Sequence, residues 1–168
     1  METHGSNTEV VVADDSRQFT TFHVEDLFFG IDVLKVQEVL RHQGMTSVPL
    51  APPVIRGLIN LRGQIVTAID MRRRLGLPPR EAGSRLMNIV VRYGEEAISL
   101  LVDEIGDVLQ VDADKFERRP DNLDPRIRDL IKGVYKLSSR LLQALDIAKT
   151  VEPVANVNRA ARELTPIG

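Results

Sequence analysis

Cysteine is absent from the 168 residues, which excludes a disulfide, a zinc thiolate and a cysteine nucleophile. Tryptophan is absent as well, and aromatic residues make up only 4%. That is too little for a platform on which nucleic-acid bases could stack. Neither sign of charge dominates, with 22 Lys and Arg against 24 Asp and Glu and a net charge of −2. A nucleic-acid partner would ask for a basic surface that this balance does not supply. No apolar run approaches the roughly eighteen residues of a membrane span, and the N-terminus lacks a signal-peptide pattern. The expectation is a cytoplasmic protein with no direct membrane insertion. His4, His23 and His42 have no metal-ligand spacing. Ser, His and Asp occur, but no nucleophile elbow or phosphate-binding glycine loop accompanies them. Neither an enzyme nor a cofactor is expected.

What the chain does have is a globular balance, 43% hydrophobic and 27% charged, and an internal repeat. Ile55–Asp70 reads I-R-G-L-I-N-L-R-G-Q-I-V-T-A-I-D, two β-branched-rich strands around a tight turn at Arg62-Gly63. Gly63 can take the positive φ that a type II turn or the bulged end of a hairpin loop requires. The same frame returns without a gap at Ile131–Asp146, with Ile, Gly, Leu, Ala and Asp at matched places. Where the first copy has Asn60-Leu61-Arg62-Gly63, the second has Lys136-Leu137-Ser138-Ser139. The second copy thus shows what the hairpin needs when its tip has no special task.

Residues 1–16 are polar and acidic without periodicity and read as a flexible tail. F-T-T-F-H-V and L-F-F-G-I-D, split by Glu25-Asp26, read as two short strands. A brief turn at Val33–Lys35 leads to a third strand, V-Q-E-V-L-R. Prolines 49, 52 and 53 cannot donate to a ladder, so that stretch reads as an extended connection. Asp70 suits a helix N-cap for M-R-R-R-L, with Gly76 as the stop. The Pro- and Gly-rich segment 76–85 reads as the boundary between lobes. The second half repeats the order: M-N-I-V-V-R-Y, A-I-S-L-L-V-D and E-I-G-D-V-L-Q-V. A long charged loop at Asp112–Ile127, the second hairpin and a short helix near Ile147–Glu152 follow, and Pro153 is read as ending that helix. These elements predict a mainly β fold of two small barrels, lobe 1 about 17–76 and lobe 2 about 85–152. Residues 153–168 complete it as a C-terminal tail.

Three stretches taken together resemble the CheW family of chemotaxis adaptors: F-G-I-D-V-L-K-V-Q-E-V-L, P-x-V-I-R-G-L-I-N-L-R-G-Q-I-V-T-A-I-D-M-R and L-V-D-E-I-G-D-V-L. The resemblance runs over roughly Gln18–Glu152 in matching order and spacing. It implies two SH3-like five-stranded β-barrel lobes packed on each other, with short helices, forming a 17–152 CheW-like domain. It further implies a non-enzymatic scaffold. Such a scaffold couples the cytoplasmic tips of chemoreceptors (methyl-accepting chemotaxis proteins) to the regulatory domain of the histidine kinase CheA. The protein would then lie in the cytoplasm and reach membrane-bound receptor arrays through its partners. The alternative is a CheW-like regulator that binds a small-molecule or nucleotide signal in a related motility pathway.

In the family pattern the Glu of V-Q-E and the Arg of N-L-R-G stand out, which here are Glu38 and Arg62. Arg62 at a hairpin tip is either a solvated turn residue or a partner contact oriented by Glu38. The replacement by Ser138 in the second copy favours the contact. Asn60 and Gly63 frame that tip. Gly57 matches Gly133, which points to backbone geometry common to both copies, a bulge or a close approach, or else to a tight partner contact. Val36 and Val39 are either core or exposed edge, and Val36 is the expected partner contact. The run Arg72-Arg73-Arg74 reads as a solvated helix face, or as a surface for an acidic partner.

Overall fold

The computed structural model describes residues 16–157. In chain order it contains β1 (Ser16–Val24), β2 (Leu27–Asp32), β3 (Val36–Arg41), β4 (Ile55–Leu61), β5 (Gln64–Asp70) and the single-turn helix α1 (Met71–Arg74). There follow β6 (Met87–Tyr93), β7 (Glu96–Val102), β8 (Glu104–Asp112), β9 (Phe116–Arg118), α2 (Pro125–Arg128), β10 (Ile131–Lys136), β11 (Leu141–Leu145) and α3 (Ile147–Thr150). The fold is mainly β and two-lobed, with few and short helices. The expected N-terminal tail falls outside the described residues except for Ser16, which opens β1.

The repeat is real in three dimensions. In β4–β5, Ile55 pairs with Ile69 and Gly57 with Ala68, with a bulge between. In β10–β11, Ile131 pairs with Leu145 and Gly133 with Ala144, again with a bulge between. An aspartate stands at the end of each second strand, Asp70 as the last residue of β5 and Asp146 directly after β11. Its N–H donates back to the residue before the hairpin: Asp70 to the Val54 carbonyl at 2.8 Å and Asp146 to that of Leu130 at 2.7 Å. Both aspartates then cap the following helix through their side chains, as residues with short acceptor side chains favour.

The assignment of strands to sheets differs from a simple sequential split. One sheet runs β8-β1-β2-β11-β10-β9 and the other β3-β6-β7-β5-β4. Hairpin β1–β2 of the first half therefore joins the sheet of the second repeat, and β6–β7 joins that of the first. The parallel pairs β2·β11 and β5·β7 make the joins. The boundary at 76–85 separates the repeats in sequence and does not separate the sheets. The cause is burial. β7 is covered along nearly its whole length and β2 over its middle four residues, so each needs a neighbour on both edges.

Among the described residues most of the buried apolar side chains fall in three clusters. The largest lies between the lobes and draws Phe22, Phe29 and Ile31 from one sheet and Ile69, Ile89 and Leu100 from the other. Phe22 and Phe29 stack with centroids 5.4 Å apart. Each such fully buried side chain stabilises by about 1.5–3 kcal/mol. A smaller cluster centred on Ile59, Val66 and Leu101 fills one lobe, and Phe19, Tyr135 and Leu142 fill the other.

Two further expectations change. The charged loop 112–127 contains the edge strand β9 and the start of α2. Pro153 does not end the last helical segment: residues 152–157 are helical, and Val154 is packed into the central cluster. Proline is tolerated there because a first-turn residue has no intrahelical acceptor for an N–H.

Candidate functional site

The tip of β4–β5 is a two-residue turn in which Arg62 and Gly63 both have positive φ, 50° and 87°. This is the type I′ pattern, whose twist suits a hairpin, in place of a type II turn. Nothing lies within 4 Å of a Cβ built on Gly63, so its glycine serves backbone conformation alone. The Asn60 side-chain oxygen accepts from the Gly63 N–H at 2.9 Å and fixes the turn.

Arg62 projects from this tip with 72% of its side chain exposed, and its guanidinium donates to the carboxylate of Glu38 on β3. Glu38 is mostly covered, its side chain 20% exposed. The pair joins the two edge strands of one sheet and leaves the guanidinium partly free. A pair this exposed contributes about 0–1 kcal/mol to folding, so its geometry serves orientation more than stability. Ile65, the cross-strand partner of Asn60, is 60% exposed and adds an apolar surface beside the arginine.

The other expected site residues divide. Val36 turns inward and packs against the central cluster. Val39 is the exposed apolar residue of β3, because strand alternation puts 36 and 39 on opposite faces. Gly57 is buried, and a Cβ on it would meet the Thr46 carbonyl oxygen at 2.7 Å. Thr46 and Leu58 exchange backbone hydrogen bonds of 2.9 and 2.8 Å across that glycine. Gly133 is crossed in the same way by Glu117 and Phe116 of β9. Gly57 is thus held by backbone approach. Arg62, Glu38, Asn60 and Gly63 come together, and Val36 and Gly57 lie beneath.

In the arginine run Arg72 and Arg74 are partly covered and engaged, and only Arg73 keeps the expected exposed position. Arg72 donates to both oxygens of Asp103 at 2.9–3.2 Å and lies 3.5 Å from Glu25 in the β1–β2 turn. Arg80 bridges two carboxylates, donating to Asp103 at 2.8 Å and Asp70 at 2.9 Å. Arg74 donates to the Thr150 and Lys149 carbonyls at 3.1 and 2.7 Å, across the other repeat's helix. Burial pushes the Asp103 carboxyl up. Hydrogen bonds from Arg72 and the Glu25 N–H, with the charge of Arg80, more than reverse that, so its pKa lies below the usual value. The Asp103 hydrogen bond raises Arg72 further, and burial lowers Arg74. This clasp ties α1, the β7–β8 corner and the swapped β1–β2 turn together.

The model of the CheW-like domain matches residues 18–154, nearly the whole described fold. The chain belongs to the CheW-like family. It is 30% identical to the chemotaxis protein CheW of Klebsiella aerogenes over 148 residues, covering 87% of this chain and 89% of that one. With the Bacillus subtilis chemotaxis protein CheW it shares 33% over 125 residues, 74% and 80% of the two chains. Among solved structures it is similar to the scaffolding protein TtCheW of Thermoanaerobacter tengcongensis, with a TM-score of 0.70 at 26% identity. That match covers 77% of this chain and 88% of the other. CheW relatives therefore span both the tip and the clasp.

Arg80 and Ile65 went unnoticed in the sequence. Arg80 lies in a segment whose prolines and glycine read as a linker, and no local pattern marks it. Ile65 is the outward member of an alternating strand, which the period-2 pattern of β5 could have shown.

Proposed function

We propose that this protein is a non-enzymatic chemotaxis scaffold that couples chemoreceptor tips to the histidine kinase CheA, working in the cytoplasm beneath the receptor membrane. The observation that carries this reading is the family match over residues 18–154, together with relatives described as chemotaxis and scaffolding proteins. No described helix is long and apolar enough to cross a membrane. The mechanism is effective concentration: one rigid body that holds two partners makes individually weak contacts act together. Arg62, oriented by Glu38, supplies electrostatic register at one contact, and the exposed Ile65 and Val39 supply apolar area.

The test is co-sedimentation of the protein with receptor-containing membranes and CheA, comparing wild type with Arg62→Ser, which copies the second repeat. Thermal melting is expected to change by less than the equivalent of about 1 kcal/mol, while recruitment of kinase to the membranes falls. A collapsed melt would make Arg62 structural. Undiminished recruitment would remove the tip from the interface.

A further inference from the structure

The internal symmetry exposes a place where the two lobes differ. In the parallel pairs, Ala68 lies opposite Ser99 and Ala144 opposite Gly30, so Ser99 and Gly30 are equivalent positions, as are Ala68 and Ala144. Counting from these anchors, Arg72 corresponds to Ala148, Asp103 to Leu34 and Glu25 to Gly94. The ionic clasp of one lobe has no counterpart in the other.

Its equivalent position holds a cavity of about 440 Å³, which Ala148, Asp146 and Tyr93 help to line. That volume is within the range of small-molecule sites. Its wall concentrates a scarce resource. Of the five phenylalanines and two tyrosines in the chain, four residues line it: Phe19, Tyr93, Phe116 and Tyr135. The Tyr135 ring lies 5.3 Å from those of both Phe19 and Phe116, while Tyr93 and Phe116 keep about two-fifths of their surface exposed.

The charges point the same way. Arg17, Lys35 and Lys132 line the cavity, and none has an ion-pair partner among the described residues. The two carboxylates in the wall are already engaged. Asp32 accepts from the Leu34 N–H at 2.9 Å and Asp146 from the Lys149 N–H at 3.2 Å. Three cations without an ion-pair partner among the described residues, against two carboxylates, leave this aromatic wall net positive, which suits a ligand with a flat ring and a negative group.

The geometry points to a binding site, between β1, β10, β11 and α3, for a small aromatic anion: a planar ring bearing a phosphate or a carboxylate. This goes beyond the scaffold role and does not depend on it. The test is an NMR titration of the ¹⁵N-labelled full chain with phenyl phosphate and, separately, benzoate, which distinguishes the two anionic groups. Inorganic phosphate is the control. Saturable shifts at Arg17, Lys132, Tyr135 and Ala148 are expected with at least one aromatic anion, and binding of inorganic phosphate should be weaker by about tenfold or more. Lys132→Glu should weaken the aromatic anion by about tenfold at unchanged melting temperature, whereas Arg41→Glu, outside the wall, should leave it unaltered. Tyr93→Ser should weaken it without removing a charge. The proposal is overturned if neither aromatic anion saturates in the millimolar range, if Lys132→Glu binds like wild type, or if inorganic phosphate binds equally well. It is also overturned if a receptor-tip peptide shifts these residues and the aromatic anions do not.

Discussion

Arg80→Ala is the sharpest test of how the lobes are held. The Arg80 side chain is only 8% exposed and Asp70 only 4%. One guanidinium meets Asp70, Asp103 and the Leu101 carbonyl, the last at 3.3 Å. Alanine removes all three contacts and leaves two carboxylates each short of a partner. Breaking a buried pair on one side costs about 3–5 kcal/mol. Here Arg72 still holds Asp103, while Arg56 and the α1 N–H groups still hold Asp70. The cost should therefore fall near the lower end, about 3 kcal/mol. For a chain of this size that corresponds to roughly 6–12 °C in melting temperature. Urea unfolding followed by far-UV circular dichroism at neutral pH measures it directly. Arg80→Lys should recover less than half, because one ammonium cannot span both carboxylates as the planar fork does. In a double-mutant cycle with Asp103→Ala, the coupling should exceed about 1 kcal/mol. A loss of less than about 1 kcal/mol for Arg80→Ala, or additive effects in the cycle, would refute the bridging role.

Gly57→Ala should destabilise by about 1–3 kcal/mol, since its Cβ meets backbone oxygen at 2.7 Å. Gly133→Ala should cost more, because both the Glu117 carbonyl and the Phe116 ring stand closer. Chemical denaturation of the pair of variants checks the order. Asp103 has a lower pKa folded than its ordinary 3.8, so the unfolded chain binds the extra proton. Its contribution is full above that ordinary value and drains as the pH falls through the lowered folded one. Asp103→Asn should start less stable at neutral pH and lose less on acidification to about pH 3, as read from stability curves at stepped pH. Parallel curves for wild type and variant would contradict the assignment.

Element existence was legible in the sequence because it rests on local chemistry. The alternation of Ile55, Gly57, Ile59 and Leu61 against Arg56 and Asn60 announces a half-buried strand, and Asp70 announces a cap. The family pattern points to Glu38 and Arg62 together, and the fold joins them in an ion pair. Strand partnership was not legible. β2 and β7 carry the same apolar run whichever hairpin they join, and no short-range signal distinguishes an exchanged pairing from a sequential one. Arg72 and Arg74 failed for a related reason. Charge runs on isolated helices usually face water, and only the arrival of Asp103 and the α3 carbonyls from distant sequence makes burial favourable here. Val36 and Val39 differ by strand face alone, which V-Q-E-V-L leaves undetermined.

The exchanged hairpins also set how the chain can come apart. Neither half, cut at the glycine and proline segment, contains all the strands of any sheet, so a fragment would be left with unsealed edges and should not hold native shape by itself. Because β1 is bonded to β8 some ninety positions away, and β2 to β11 with Phe29 opposite Gln143, folding must wait for the last third of the chain and should be slow for its size. Once closed, the two lobes are interlocked and should melt in a single step. A push received at one face would then reach the far side as a displacement of the whole body.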